Sequence, residues 1–130
     1  LGTRRITIST SGIIKNIRRL ADEGKQWNLA LSLHAVDDET RAKVIPDDCR
    51  FSISEVLDAC SYYHSKTGRM LTFEYILIKG VNASMEEADK LGDIAREYHA
   101  KVNLIPYNEV STNDFQRPDD ADIFKFKNLL

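Results

Sequence analysis

The best candidates for chemistry in this chain are polar residues that end otherwise apolar runs. "NLALSLH" (28–34) finishes on His34 and "VNLIPYN" (102–108) on Asn108, while "RRITISTSG" (4–12) finishes on Ser9, Thr10 and Ser11 before Gly12. A further run, "TFEYILIKG" (72–80), ends on Lys79 and Gly80. Hydroxyl, imidazole and amide groups suit directional bonding to ribose hydroxyls, base edges or a carboxylate. Singly, each has an ordinary structural use. Ser and Thr bond nearby backbone, Asn makes turns, and a His after a strand is often a satisfied structural side chain. Glu74 interrupts an apolar run, so it pairs with a cation, Arg5 being the candidate, or faces solvent; a structural role is the expectation.

The elements that must position these groups alternate. "RRITIST" (4–10) is β-branched and closes on a Ser-Gly turn. Ile13, Ile14, Ile17, Leu20 and Ala21 then recur at helical spacing up to Gly24. "NLALSLHA" (28–35) reads as a second strand, and "DDETRAKV" (37–44) as a short helix stopped by Pro46. Ser52 and Glu55 have capping-box spacing ahead of Ile53, Val56, Leu57, Cys60 and Tyr63. "LTFEYILI" (71–78) is a strand. Ser84 and Glu87 form a second box ahead of Met85, Ala88, Leu91, Ile94, Ala95 and Tyr98. "KVNLIPY" (101–107) is the fourth strand, and Asp119 or Asp120 can cap a last helix carrying Ile123, Phe124, Phe126, Leu129 and Leu130.

Four βα units without hairpins imply parallel strands joined by helical crossovers. Two α/β architectures fit: a small doubly wound sheet, or part of a (β/α) barrel, since a full eight-fold barrel needs roughly 200 residues or more. The chain begins at a strand and stops on "KNLL" with no closing strand, so residues 1–130 read as a single partial-barrel piece. In either architecture ligands bind at the carboxyl ends of the strands, where all four polar endings fall.

Composition narrows the classes further. The 130 residues are 42% hydrophobic and 29% charged, with a net charge of −2, which gives no basic excess for freestanding nucleic-acid binding. No apolar run is long enough to span a bilayer and no secretory h-region is visible, so a cytoplasmic protein is expected. There is no GxGxxG, Walker loop or GxSxG elbow. Two cysteines, Cys49 in a polar loop and Cys60 in an apolar stripe, cannot complete a zinc or iron–sulfur site. Asp37-Asp38-Glu39 and Asp119-Asp120 look like helix starts rather than metal cages.

Together, "RRITISTSGII", "NLALSLHA", "TFEYILIKGVN" and "VNLIPYN" resemble the radical S-adenosylmethionine adenosine methyltransferases of the RlmN and Cfr type, which modify 23S ribosomal RNA. The resemblance covers essentially the whole chain and lies in the second half of the family's catalytic domain. It implies a partial (β/α)6 barrel of which this chain supplies the last four strands. It also implies S-adenosylmethionine bound to a [4Fe–4S] cluster. Carried over by motif, Ser9 of "STSG", Ser32-Leu33-His34 of "SLH" and Asn108 of "PYN" match the family's S-adenosylmethionine contacts. In the family a methyl group passes through a cysteine to an adenine carbon, C2 in the RlmN type and C8 in the Cfr type, in 23S rRNA and some tRNAs.

The family's CxxxCxxC cluster motif, its Gly-Glu cofactor motif and its methyl-carrying and resolving cysteines are absent here, so the chain alone is expected to be inactive. Asp47-Asp48-Cys49-Arg50 after "VIP" and Glu109 after "PYN" depart from the family pattern, and an acidic pair on a rim loop would repel phosphates. Open strand edges would favour self-association of such a piece. Two other readings stay open: a radical S-adenosylmethionine enzyme with a different substrate, and a truncated, non-catalytic α/β module that binds a nucleotide or a partner.

Overall fold

A computed structural model describes residues 5–45, 51–110 and 114–130. Four strands, β1 (Thr7–Thr10), β2 (Asn28–Ser32), β3 (Leu71–Leu77) and β4 (Lys101–Pro106), alternate with five helices. These are α1 (Ile14–Asp22), α2 (Asp38–Val44), α3 (Ile53–Thr67), α4 (Met85–Glu97) and α5 (Asp120–Leu129). All strand pairs are parallel, and the sheet order β1-β2-β3-β4 is the sequence order. A strand order that never reverses is that of a barrel wall, not of a doubly wound sheet with its switch point. The chain is therefore a partial (β/α) barrel.

The two faces of the sheet differ in chemistry because side chains alternate along each strand. Leu29, Leu31, Leu71, Phe73, Tyr75 and Leu77 face the helices and are buried. They form one core with Ile17 and Ala21 of α1, Val56, Cys60 and Tyr63 of α3, Ala88 and Leu91 of α4, and Phe126 of α5. Tyr75 meets Phe126 at 5.5 Å between ring centroids, and Phe73 meets Tyr98 edge-on at 6.5 Å. The opposite face carries Thr7, Ser9, Ser32, Thr72, Glu74, Lys101 and Asn103, all exposed or half-buried. Register aligns Ser32 with Glu74 and Glu74 with Asn103, so this face is a largely polar wall, broken by Ala30, Ile76 and Ile105.

Local signals place the helices. Both capping boxes form: Ser52 accepts from Glu55 N–H at 3.1 Å, and Ser84 accepts from Glu87 N–H at 3.1 Å. Asp37 starts α2 by accepting from Thr40 N–H at 2.7 Å, which bears out the helix-start reading of that acidic run. At α5 the outcome differs. Asp119 occupies the position before the helix but its side chain makes no capping bond, and Asp120 instead pairs with Arg117 at 2.9 Å. Cys60 is fully buried, and burial pushes its thiol up to about 12, as befits a core residue. Cys49 and the Asp47-Asp48 pair lie outside the described residues. Among the described residues no helix is long and apolar enough to cross a membrane.

Candidate functional site

The carboxyl ends of the four strands form one rim. Ser9 is the penultimate residue of β1, exposed on the open face and in register with Ala30 of β2. Ser32 ends β2 two residues further along that same face, level with Glu74 of β3. Asn108 follows β4 by two residues and is exposed. Tyr107 just before it still bonds β3, its N–H donating to Leu77 O at 3.1 Å. The candidate residues therefore sit at the carboxyl ends of β1, β2 and β4, with β3 between the last two.

Leu33 and His34 leave the sheet differently. Leu33 points its side chain into the helix-side core and is fully buried. Its N–H donates to Glu74 O at 3.0 Å, so Leu33 lends the rim its main chain rather than its side chain. His34 takes a left-handed backbone, with φ of 58°, which is uncommon outside glycine. Its ring is buried, and Nδ1 accepts a hydrogen bond from Ile76 N–H at 3.0 Å. A ring nitrogen that accepts from an amide carries no proton, so the proton resides on Nε2. Nε2 has no partner among the described residues and is the donor this ring can offer a ligand. Burial, and then the nearby Arg41 charge, lower the His34 pKa to about 4, so the imidazole is neutral at physiological pH.

Two residues that the sequence reading did not single out complete the rim. Arg41, only 2% exposed, spreads its guanidinium over backbone carbonyls from three segments. Nη2 donates to Ser11 O at 2.8 Å and to Ser32 O at 3.1 Å; Nε donates to Leu33 O at 3.1 Å and Nη1 to Phe51 O at 3.4 Å. Asn82, wholly buried after β3, donates from Nδ2 to His34 O at 2.7 Å and to Ile76 O at 2.6 Å. Its Oδ1 accepts from Ile78 N–H at 2.8 Å, and its own carbonyl accepts from the Tyr75 hydroxyl at 2.6 Å. In sequence Asn82 looks like a turn residue and Arg41 like a solvated helix charge.

Glu74 stands half-buried on the polar wall between Ser32 and Asn103. It forms no ion pair among the described residues, and Arg5, exposed and ahead of β1, is not its partner. Among the described residues no three His, Cys, Asp or Glu side chains are grouped to hold a metal ion.

No family model matches the chain. A probable dual-specificity RNA methyltransferase RlmN from Clostridium perfringens is 48% identical over 130 residues, all of this chain and 38% of that protein. A crystal structure of a radical SAM methyltransferase from Sphaerobacter thermophilus superimposes with a TM-score of 0.91 at 44% identity, over 99% of this chain and 38% of that one. The chain belongs to the RlmN-type radical S-adenosylmethionine methyltransferases. It spans about two fifths of the length of the family members it matches. A domain of a pyruvate-formate lyase-activating enzyme from Bacteroides vulgatus shares the family's fold, with a TM-score of 0.69 at 14% identity over 95% of this chain.

Proposed function

We propose that this chain is a cofactor-holding section of a larger cytoplasmic enzyme that methylates adenosine in RNA, in 23S rRNA and in tRNA, at C2 rather than C8. The observation that carries this reading is the match of the whole chain, at 48% identity, to an RlmN protein. The polar rim at the strand ends supports it. The words "dual-specificity RNA methyltransferase" in that relative's name support an RNA substrate of two kinds and favour RlmN-type C2 chemistry over the Cfr type.

The residues present suit S-adenosylmethionine. Ser9 and Ser32 offer hydroxyls on the open face, His34 a neutral Nε2–H, and Asn108 an exposed amide. These groups match a zwitterionic ligand with ribose hydroxyls and an adenine edge. When bound beside an iron–sulfur cluster, that cofactor supplies the methyl group and a radical. The chain's own residues bind and orient it, and the neutral His34 adds no second positive charge beside the sulfonium. The cluster ligands are assigned to the larger protein, since the family's CxxxCxxC motif is not among these 130 residues.

The full-length protein, with its cluster reconstituted, is expected to add a methyl group to adenosine in 23S rRNA and tRNA fragments, read by mass spectrometry of nucleoside digests. Product carrying no methyladenosine would sink the reading. The 130-residue chain assayed alone should give none. The excised chain should also self-associate through the free edges of β1 and β4 and its uncovered polar wall. A concentration-independent monomer in sedimentation velocity would refute that.

A further inference from the structure

Three consecutive carbonyls, those of Ser32, Leu33 and His34, are each taken by a buried side chain from a later segment. At this point β2 has ended, and the backbone of the "SLH" tripeptide turns away from ladder pairing. Its N–H groups still reach β3, since both Leu33 and His34 donate to Glu74 O, but its carbonyls go to Arg41 and Asn82. Only a guanidinium has a planar fork of five donors, so no other side chain could meet the Ser11, Ser32, Leu33 and Phe51 carbonyls together. Asn82 contributes both donor and acceptor from one rigid amide.

We propose that Arg41 and Asn82 are positioning residues for cofactor binding, fixing through the Ser32–His34 main chain where the Ser32 hydroxyl and the His34 Nε2–H stand. The inference rests on the reading of the rim as an S-adenosylmethionine site. It goes beyond that reading by placing part of the affinity in residues that touch no cofactor. A left-handed non-glycine backbone is strained and persists only where its surroundings hold it. Asn82 holds the His34 carbonyl, and Ile76 N–H holds its ring; without the first, the residue relaxes and the ring swings off the second. Arg41 also joins Ser11, two residues past Ser9, to Ser32 through one Nη2, which sets the spacing between two of the proposed cofactor contacts.

The test uses the full-length protein and S-adenosylhomocysteine, a probe that cannot donate a methyl group, with affinity read by calorimetry. Asn82→Asp keeps the shape and the acceptor for Ile78 but turns an oxygen toward the His34 and Ile76 carbonyls. Arg41→Met keeps length and removes the donors. Each should weaken binding by roughly ten-fold or more in protein that retains its native circular dichroism. Arg41→Lys should recover only part, because an ammonium cannot reach all four carbonyls. Nitrogen-15 spectra of labelled histidine should show His34 as a single Nε2–H tautomer in the unaltered protein and as a mixture in Asn82→Asp. A role confined to stability would lower the melting temperature yet leave affinity and tautomer of the folded protein unchanged.

Folded variants that bind within about two-fold of the unaltered protein, with the His34 ring still fixed, would overturn the positioning role. Should Asn82→Asp or Arg41→Met not fold, Asn82→Ser and Arg41→Lys carry the same prediction in milder form. Unaltered protein that does not bind the probe at all would instead sink the cofactor reading, and the positioning role with it. The two failures are thus told apart by whether the loss starts with the variants.

Discussion

Gly12→Ala is expected to destabilise the protein by about 3 kcal/mol, the sum of a backbone and a packing penalty. Gly12 follows β1 with φ of +100°, a conformation that a residue with a Cβ adopts only under strain. Its N–H donates to the Thr10 hydroxyl at 3.1 Å, which closes the turn. An added Cβ would stand 3.1 Å from Arg41 Nη2 and 3.1 Å from Val56 Cγ1, tighter than either comfortably allows. Nη2 is the atom that bridges Ser11 and Ser32, so the same methyl group should also disturb the rim. Gly24→Ala is the control: its φ is +69°, but nothing lies within 4 Å of the added Cβ, so it isolates the backbone penalty. Urea unfolding of both variants checks this. Equal losses for Gly12→Ala and Gly24→Ala would mean that the packing around Arg41 yields freely.

Acid should destabilise the folded protein through His34, by about 3 kcal/mol between neutral pH and pH 4. Burial, with the Arg41 charge second, lowers the folded-state pKa from 6.5 to about 4. Above pH 6.5 neither the folded nor the unfolded state carries this proton, and His34 contributes no pH dependence. As pH falls below 6.5 the unfolded chain takes up the proton while the folded chain does not, so stability drops and levels off below about pH 4, as the folded chain takes it up too. The groups around the ring agree with this sign. Arg41 reaches it from α2, β3 presents the Ile76 N–H to its Nδ1, and Asn82 adds a neutral amide at its carbonyl. His34→Asn, which tolerates a left-handed backbone, should flatten this component. The check is chemical denaturation at pH 7 and pH 4.5 for both proteins; parallel losses would show that His34 is not the group responsible.

Much of this fold is legible in the sequence because its signals are local. Ser52 with Glu55, and Ser84 with Glu87, announce helix starts three residues apart, and both capping boxes form. The spacing of Ile53, Val56, Cys60 and Tyr63 names the buried face of α3. The rim positions of Ser9, Ser32 and Asn108 follow from polar residues closing apolar runs in parallel strands. What is not legible depends on distant partners. Arg41 bonds Ser11 from 30 residues away, and Asn82 bonds His34 from 48. No periodicity encodes such pairs, and a charged residue on a short helix looks solvated until its carbonyls are seen. The left-handed turn at His34 is equally hidden, since a histidine carries no mark of it that a glycine would. Glu74 shows the intermediate case: alternation assigns its face, but the proposed Arg5 partner was a matter of contact, and the contact is not made.

The coincidence of spatial and sequential strand order has a consequence for biosynthesis. β2, β3 and β4 each pair with the strand made just before them. Chains leave the ribosome at roughly 5–20 residues per second, slowly enough for a βα unit to dock before the next is complete. This segment can therefore grow unit by unit, each finished edge serving as the template for the next. Arg41 and Asn82 fit the same schedule, since among the described residues the carbonyls they hold, that of Phe51 apart, belong to chain already made when they emerge. The β1 and β2 part of the rim is thus locked from behind, by residues that arrive after it.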